Sequence, residues 1–255
     1  MTASIHQFLI GADNYGILIH DDATGATATI DAGEAQPILQ ALKETGWTLT
    51  DIWVTHHHGD HVDGIPELKK ATGAAVTAPI EHMARVPMVD RGVREGDHIT
   101  LGTIEATIIA TPGHTSHHIA YYCPQDGVVF AGDTLFALGC GRLFEGTAAD
   151  MWSSLQKLRA LPPATKLYCG HEYTQSNARF ALTVDPENVA LQQRAKEIDA
   201  LRAKGAFTLP STIGVENATN PFMRADDQQI AARLGLAKAA AVDVFAELRA
   251  RKNRA

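Results

Sequence analysis

The amino-acid sequence predicts an α/β (α+β) fold, with short strands mixed with helices over the first two-thirds and a smaller helical part after them. Three observations predict it. Brief apolar runs bounded by turn residues alternate with stretches of helical periodicity. Residues able to bind metal stand just past the ends of several of those runs. Composition then shifts after about Thr174.

Taken in order, Gln7 to Ile10, Tyr15 to His20 and Ala26 to Ile30 read as strands, with Asp21, Asp22 and Gly25 supplying a turn between the last two. Pro37 suits the first turn of a helix that carries Ile38, Leu39 and Leu42 and stops near Gly46. Asp51 to Val54 is a buried strand, Pro66 to Ala71 a short helix, and Ala75 to Ala78 another strand. Thr103 to Ala110, His117 to Tyr122, Val128 to Ala131 and Leu167 to Cys169 complete the strands. Asp185-Pro186-Glu187 offers an N-cap, a first-turn proline and a first-turn acid for a helix running through Val189, Leu191, Ala195, Ile198 and Leu201 to Gly205. A loop is expected from Ala206 to Asn220. Two helical segments broken near Gly235 follow, with Ala237 to Ala241 read as a good helix former.

With 255 residues, 45% of them hydrophobic and 20% charged, the chain can bury a substantial core. A net charge of −7 argues against a nucleic-acid partner or an anionic membrane surface. No apolar run approaches a membrane span, and Met1-Thr2-Ala3-Ser4-Ile5-His6-Gln7 has no secretory pattern. Cys123, Cys140 and Cys169 form no CxxC pair, as expected of a reducing compartment. The expectation is a cytoplasmic monomer.

The chemistry concentrates in Thr55-His56-His57-His58-Gly59-Asp60-His61, which follows the apolar Ile52-Trp53-Val54 and sets four potential ligands, His56, His58, Asp60 and His61, in six residues. Imidazole and carboxylate together suit zinc, iron or manganese. Two-residue steps put His56, His58 and Asp60 on one side of an extended segment and turn His61 elsewhere, which suggests two adjacent metal sites. His114, Asp133 and His171 also stand at strand exits. Seven donors are too many for one tetrahedral ion and suit two ions roughly 3.5–4 Å apart, able to hold a hydroxide of pKa about 7. Asp133, with two oxygens, is the natural bridge. His57 reads as a structural neighbour, and His117 and His118 as packing or surface residues. His6, His20, His82 and His98 carry no functional reading, and Cys140 and Cys169 read as small buried residues.

The run matches the THxHxDH signature of the metallo-β-lactamase superfamily, and His114, Asp133 and His171 stand where that superfamily places its remaining ligands. Within it, the chain resembles the glyoxalase II family (hydroxyacylglutathione hydrolases) from end to end. The segments that carry this are Thr111-Pro112-Gly113-His114-Thr115, Ala131-Gly132-Asp133-Thr134-Leu135-Phe136, Gly139-Cys140-Gly141-Arg142, Gly170-His171-Glu172-Tyr173-Thr174 and Asn220-Pro221-Phe222-Met223-Arg224. The resemblance implies a four-layered αββα sandwich over residues 1–173 and a smaller helical substrate-binding domain over 174–255. It implies two divalent ions per chain, zinc first with iron or manganese as alternatives. One would be held by His56, His58 and His114, the other by Asp60, His61 and His171. Asp133 would join them, and Asp60 and Asp133 would be the catalytic carboxylates.

The implied substrate is S-(2-hydroxyacyl)glutathione, chiefly S-D-lactoylglutathione, hydrolysed to the 2-hydroxy acid and glutathione in the second step of methylglyoxal detoxification. Arg142, Arg249 and Lys252 match the family's positions for binding glutathione, with Tyr173 contacting the peptide. Phe144 stands where family members often carry tyrosine, and Arg142 where lysine is frequent. The chemistry agrees, because a thiol of pKa near 8.5 leaves as thiolate without a strong general acid. The rival readings are a glutathione-persulfide dioxygenase with a single iron and an inactive metal-binding module. A metallo-β-lactamase is disfavoured by Asp133 in place of cysteine and by the missing export pattern.

Overall fold

Strand β1 (Ala3–Ile10) pairs antiparallel with β2 (Asn14–Asp21), which pairs antiparallel with β3 (Thr27–Ile30). The computed structural model describes residues 3–255; Met1 and Thr2, where the reading of the N-terminus begins, lie outside the described residues. The chain divides into two compact units. The first runs to Ala110 and resumes over His117–Gly132; the second comprises Thr111–Ser116 and Asp133–Ala255.

In the first unit, α1 (Ala35–Thr45) crosses from β3 to the parallel strand β4 (Asp51–Trp53). A short helix, α2 (Gly59–Val62), and α3 (Ile65–Thr72) lead to β5 (Ala75–Pro79), parallel to β4. Parallel neighbours need such crossovers, whereas antiparallel ones need only turns. A 3-10 turn over Ile80–Arg85 then precedes β6 (Arg91–Val93), giving a sheet ordered β1-β2-β3-β4-β5-β6. Ile38 and Leu42 of α1 and Leu68 of α3 bury against Leu18, Ile52 and Val76 of this sheet.

An antiparallel run follows: β7 (His98–Leu101), β8 (Ile104–Ala110), β9 (Ile119–Cys123) and β10 (Val128–Phe130). It meets the first sheet where Trp53 stacks on Tyr121, ring centroids 5.2 Å apart. There the Tyr121 hydroxyl donates to Val54 O at 2.8 Å, and Ile119 N–H donates to Thr55 O at 3.0 Å. These bonds fix the end of β4, from which the histidine run leaves.

The second unit opens with a hairpin of β11 (Leu135–Phe136) and β12 (Gly139–Cys140), then α4 (Ala148–Arg159) and β13 (Lys166–Tyr168). Helices α5 (Thr174–Val184) and α6 (Val189–Ala203) follow, then β14 (Ser211–Thr212), antiparallel to β13. The unit ends with α7 (Ile213–Thr219), α8 (Gln228–Arg233) and α9 (Ala241–Arg254). Leu138, Ala181, Leu191 and Ile198 form one core, and Phe222 packs between Phe180 and Phe245.

Several local expectations are corrected. The histidine run does not stay extended: it enters α2 at Gly59, with Asp63 N–H bonded to Gly59 O at 2.8 Å, so Asp60 and His61 sit on a helical turn. The cap of α6 is Asn188, whose side chain accepts from Leu191 N, while Asp185 bonds Arg224 instead. The expected loop from Ala206 to Asn220 contains α7, capped by Thr212. Ala237 and Lys238 lie in a turn, Ala239 in a bend, and Ala240 is the extended cap before α9, which starts only at Ala241. Helix α4 carries a legible capping box, Thr147 with Asp150, that the periodicity reading passes over.

Tyr121→Phe should lower stability by about 1–2 kcal/mol, since Val54 O is left buried without that donor. A urea midpoint reduced at unchanged slope would establish it.

Candidate metal centre

In the first unit the chain leaves β3 at Asp31, which adopts a left-handed φ of 60°. Asp31 Oδ1 accepts from Thr55 N–H at 2.7 Å, and Oδ2 accepts from Thr55 Oγ1 at 2.8 Å and from His61 Nδ1 at 2.8 Å. The Thr55 hydroxyl proton is therefore committed to Asp31, so its oxygen accepts from His56 Nδ1 at 3.0 Å. Both imidazoles are thereby set as Nδ1–H tautomers, which leaves Nε2 as the metal-type donor. His56 and His61 are buried.

His58 is half-buried, its ring 4.8 Å from and nearly perpendicular to that of His56. Asp60 is exposed, its Oδ2 lying 3.6 Å from His61 Nε2 and accepting from Asn14 Nδ2 at 3.3 Å. His118 is buried and stacks on His56 at 4.9 Å. Gly132 follows from that crowding: at φ 47°, a Cβ there would lie 2.6 Å from Thr55 Oγ1 and 2.7 Å from His118 Nε2. His57 turns away to share a hydrogen bond with His82, Nδ1 to Nδ1 at 2.9 Å.

In the second unit two imidazoles converge on one carboxylate. Asp133 Oδ2 lies 3.5 Å from His114 Nε2 and 3.2 Å from His171 Nε2, and all three residues are buried. His114 Nδ1 donates to Arg142 O at 2.9 Å, fixing the same tautomer as in the other unit. Gly141 makes that approach possible, since a Cβ there would lie 1.9 Å from Asp133 O and 3.1 Å from His114 Nδ1. His171 stacks flat on Tyr173 at 4.7 Å, and Phe136 meets it edge-on at 5.9 Å. Phe144, 62% exposed, stands edge-on to His114 at 5.2 Å.

Arg142 is exposed. Arg249 is buried, donates from Nη1 to Cys140 O at 2.8 Å and stands 5.2 Å over the Phe222 ring. Lys252 donates to Ser176 O and Oγ, both at 3.1 Å. Burial, followed by the neighbouring Arg249, Arg179 and Arg142 charges, lowers its ammonium to about 8. Cys140 and Cys169 are small buried residues as expected, and burial pushes the Cys140 thiol up to about 11.

His56, His58, Asp60 and His61 thus gather in one unit, and His114, Asp133 and His171 in the other. Each group is of a kind that suits a divalent metal: imidazoles oriented through Nδ1 beside carboxylates are how proteins prepare such ligands. Two contributors escaped the sequence reading. Asp31 had a visible signal, a carboxylate at a strand exit like those of the proposed ligands. Asn14 had none.

Two family profiles cover the chain almost completely. One, described as the metallo-beta-lactamase superfamily, matches residues 5–171, and one described as the hydroxyacylglutathione hydrolase C-terminus matches residues 172–255. The hydroxyacylglutathione hydrolase of Brucella ovis is 57% identical over 98% of this chain and 97% of its own. The chain belongs to the hydroxyacylglutathione hydrolase family. This hydroxyacylglutathione hydrolase family member has the metallo-β-lactamase fold, the expected αββα sandwich followed by a helical C-terminal region. Among solved structures it is similar to ETHE1 from Myxococcus xanthus (TM-score 0.70, 26% identity, 98% of this chain and 91% of that one). It also shares its fold with the BLEG-1 B3 metallo-beta-lactamase (TM-score 0.66, 21% identity, 86% of this chain and 99% of that one).

Asp31→Ala should release both His56 and His61 from their tautomers and weaken metal binding roughly 10- to 100-fold. Chelator competition on folded protein measures this; an unchanged affinity would show that Asp31 does not orient them.

Proposed function

We propose that the chain is a metal-dependent thioester hydrolase that converts S-(2-hydroxyacyl)glutathione, chiefly S-D-lactoylglutathione, and water to a 2-hydroxy acid and glutathione. The observation that carries this is the near-full-length identity to a hydroxyacylglutathione hydrolase, which extends through the C-terminal part. We take residues 1–173 as the catalytic domain and 174–255 as the substrate-binding domain, a division supported by the two profiles meeting between residues 171 and 172.

His56, His58 and His114 would hold one divalent ion and Asp60, His61 and His171 a second, with Asp133 shared between them. Zinc is proposed first, and iron or manganese would be accepted by the same donors. When bound, such ions supply acidity to water at neutral pH and stabilise negative charge developing on a carbonyl oxygen. The protein's own part is to keep the donors oriented. Asp31 and Thr55 hold two imidazoles and Arg142 O holds a third, so little reorganisation accompanies the reaction. Asp60 and Asp133 would balance the charge of the ions. The departing thiol needs no dedicated acid, since its pKa lies near 8.5.

Glutathione carries two carboxylates, and Arg142, Arg249 and Lys252 are proposed to bind them, with Tyr173 against the peptide. Lys252 sets a pH dependence. Its lowered pKa leaves it charged below about 8 and neutral above. KM for the thioester should therefore rise as pH passes through 8, and Lys252→Met should flatten that rise. Phe144→Tyr restores a hydroxyl worth about 1 kcal/mol, so KM should fall about fivefold.

The deciding experiment measures cleavage of S-D-lactoylglutathione, with metals counted in the same sample. Cleavage with two ions, abolished in His58→Ala, is expected. A folded two-metal protein without cleavage overturns the proposal, and oxygen uptake with one iron would point to a persulfide dioxygenase.

A further inference from the structure

The segment Asn220-Pro221-Phe222-Met223-Arg224 marks the family but holds none of the proposed ligands. It grips the hairpin that separates Asp133 from Arg142. Asn220 is fully buried, and its Nδ2 donates to Phe136 O at 3.1 Å, to Gly139 O at 3.0 Å and to Glu216 Oε2 at 3.0 Å. Two hydrogens serving three acceptors leave one bond shared. Glu216, also fully buried, accepts from Leu138 N at 2.7 Å and from Ser211 Oγ. Leu138 needs this support, because it holds a left-handed φ of 58° without being glycine. The motif reaches the hairpin a second time through Phe222, whose ring underlies Arg249 while Arg249 donates to Cys140 O.

Phe136 O, Leu138 N, Gly139 O and Cys140 O are thus all fixed from the C-terminal region. On one side of the hairpin lies Asp133, and on the other Gly141 and Arg142, whose carbonyl sets His114. Gly141 N–H also donates back to Thr134 O at 3.2 Å, which ties the two sides together. Any sliding of the hairpin would move the Asp133 carboxylate and the Arg142 carbonyl relative to His114.

We propose that Asn220, with Glu216, is a positioning residue for the metal centre: it clamps the 135–140 hairpin so that Asp133 and His114 keep metal-binding geometry. The proposal rests on the metal-hydrolase reading above, but its test does not need the thioester. Asn220→Ala and Leu158→Ala, a buried truncation in α4, are compared with wild type for zinc affinity by chelator competition and for folding by denaturation. Zinc affinity should fall about tenfold in Asn220→Ala, as for other groups that orient ligands, and stay at the wild-type value in Leu158→Ala even at equal loss of stability. Asn220→Ser, which retains a single donor, should recover part of the affinity and stands in if Asn220→Ala does not fold.

Equal zinc affinity in wild type and folded Asn220 variants overturns the proposal, as does an equal loss in Leu158→Ala. Thioester cleavage by wild type is recorded in parallel. If wild type binds zinc but cleaves nothing, the functional reading fails while the zinc comparison still decides the role of Asn220.

Discussion

Asp31 is the residue on which the arrangement of the first unit's histidines depends. Its carboxylate is nearly buried, and an isolated buried charge is costly unless hydrogen bonds replace its water. Three donors do so: the Thr55 amide, the Thr55 hydroxyl and the His61 ring. Each of these is also a demand on the surroundings. The amide ties the strand carrying the histidine run to the strand before it. The hydroxyl relays the orientation to His56, and the ring bond orients His61. The left-handed backbone at Asp31 is what lets one side chain reach all three, at an energetic cost that a short polar residue tolerates better than a branched one.

The second unit reaches the same end by different means. There the anchor for His114 is a backbone carbonyl, and the position of that carbonyl depends on how a two-strand hairpin is held. The donors of the first unit are thus fixed by a charged side chain, those of the second by the path of the main chain. Substitutions will act differently in the two. Changes around Asp31 alter tautomers and charge, whereas changes around the hairpin alter distances.

Much of this was legible in the sequence. Ligand-type residues at strand exits could be read because strands are periodic and ligands are chemically distinctive. The family followed from motifs spread over the whole chain. What escaped was of two kinds. Helix α7 is too short for periodicity to mark it, whereas α4 and α5 escaped although their apolar spacing is no weaker than that of α6 and α9. The supporting residues Asp31, Glu216 and Asn220 are ordinary polar types whose roles depend on neighbours 24 to 84 positions away. The extended reading of the histidine run failed at Gly59, where local helical hydrogen bonds override the two-residue alternation.

The three cysteines lie buried and unpaired, with the Cys123 and Cys140 thiols pushed up to about 12 and 11. A thiol held that strongly in its protonated form is a poor nucleophile and slow to exchange. An enzyme that frees glutathione at every turnover works in a locally thiol-rich solution. With no disulfide among its described residues, the chain gives the thiol it is proposed to release nothing to reduce, and its buried, protonated thiols are poorly disposed to attack the thioester substrate.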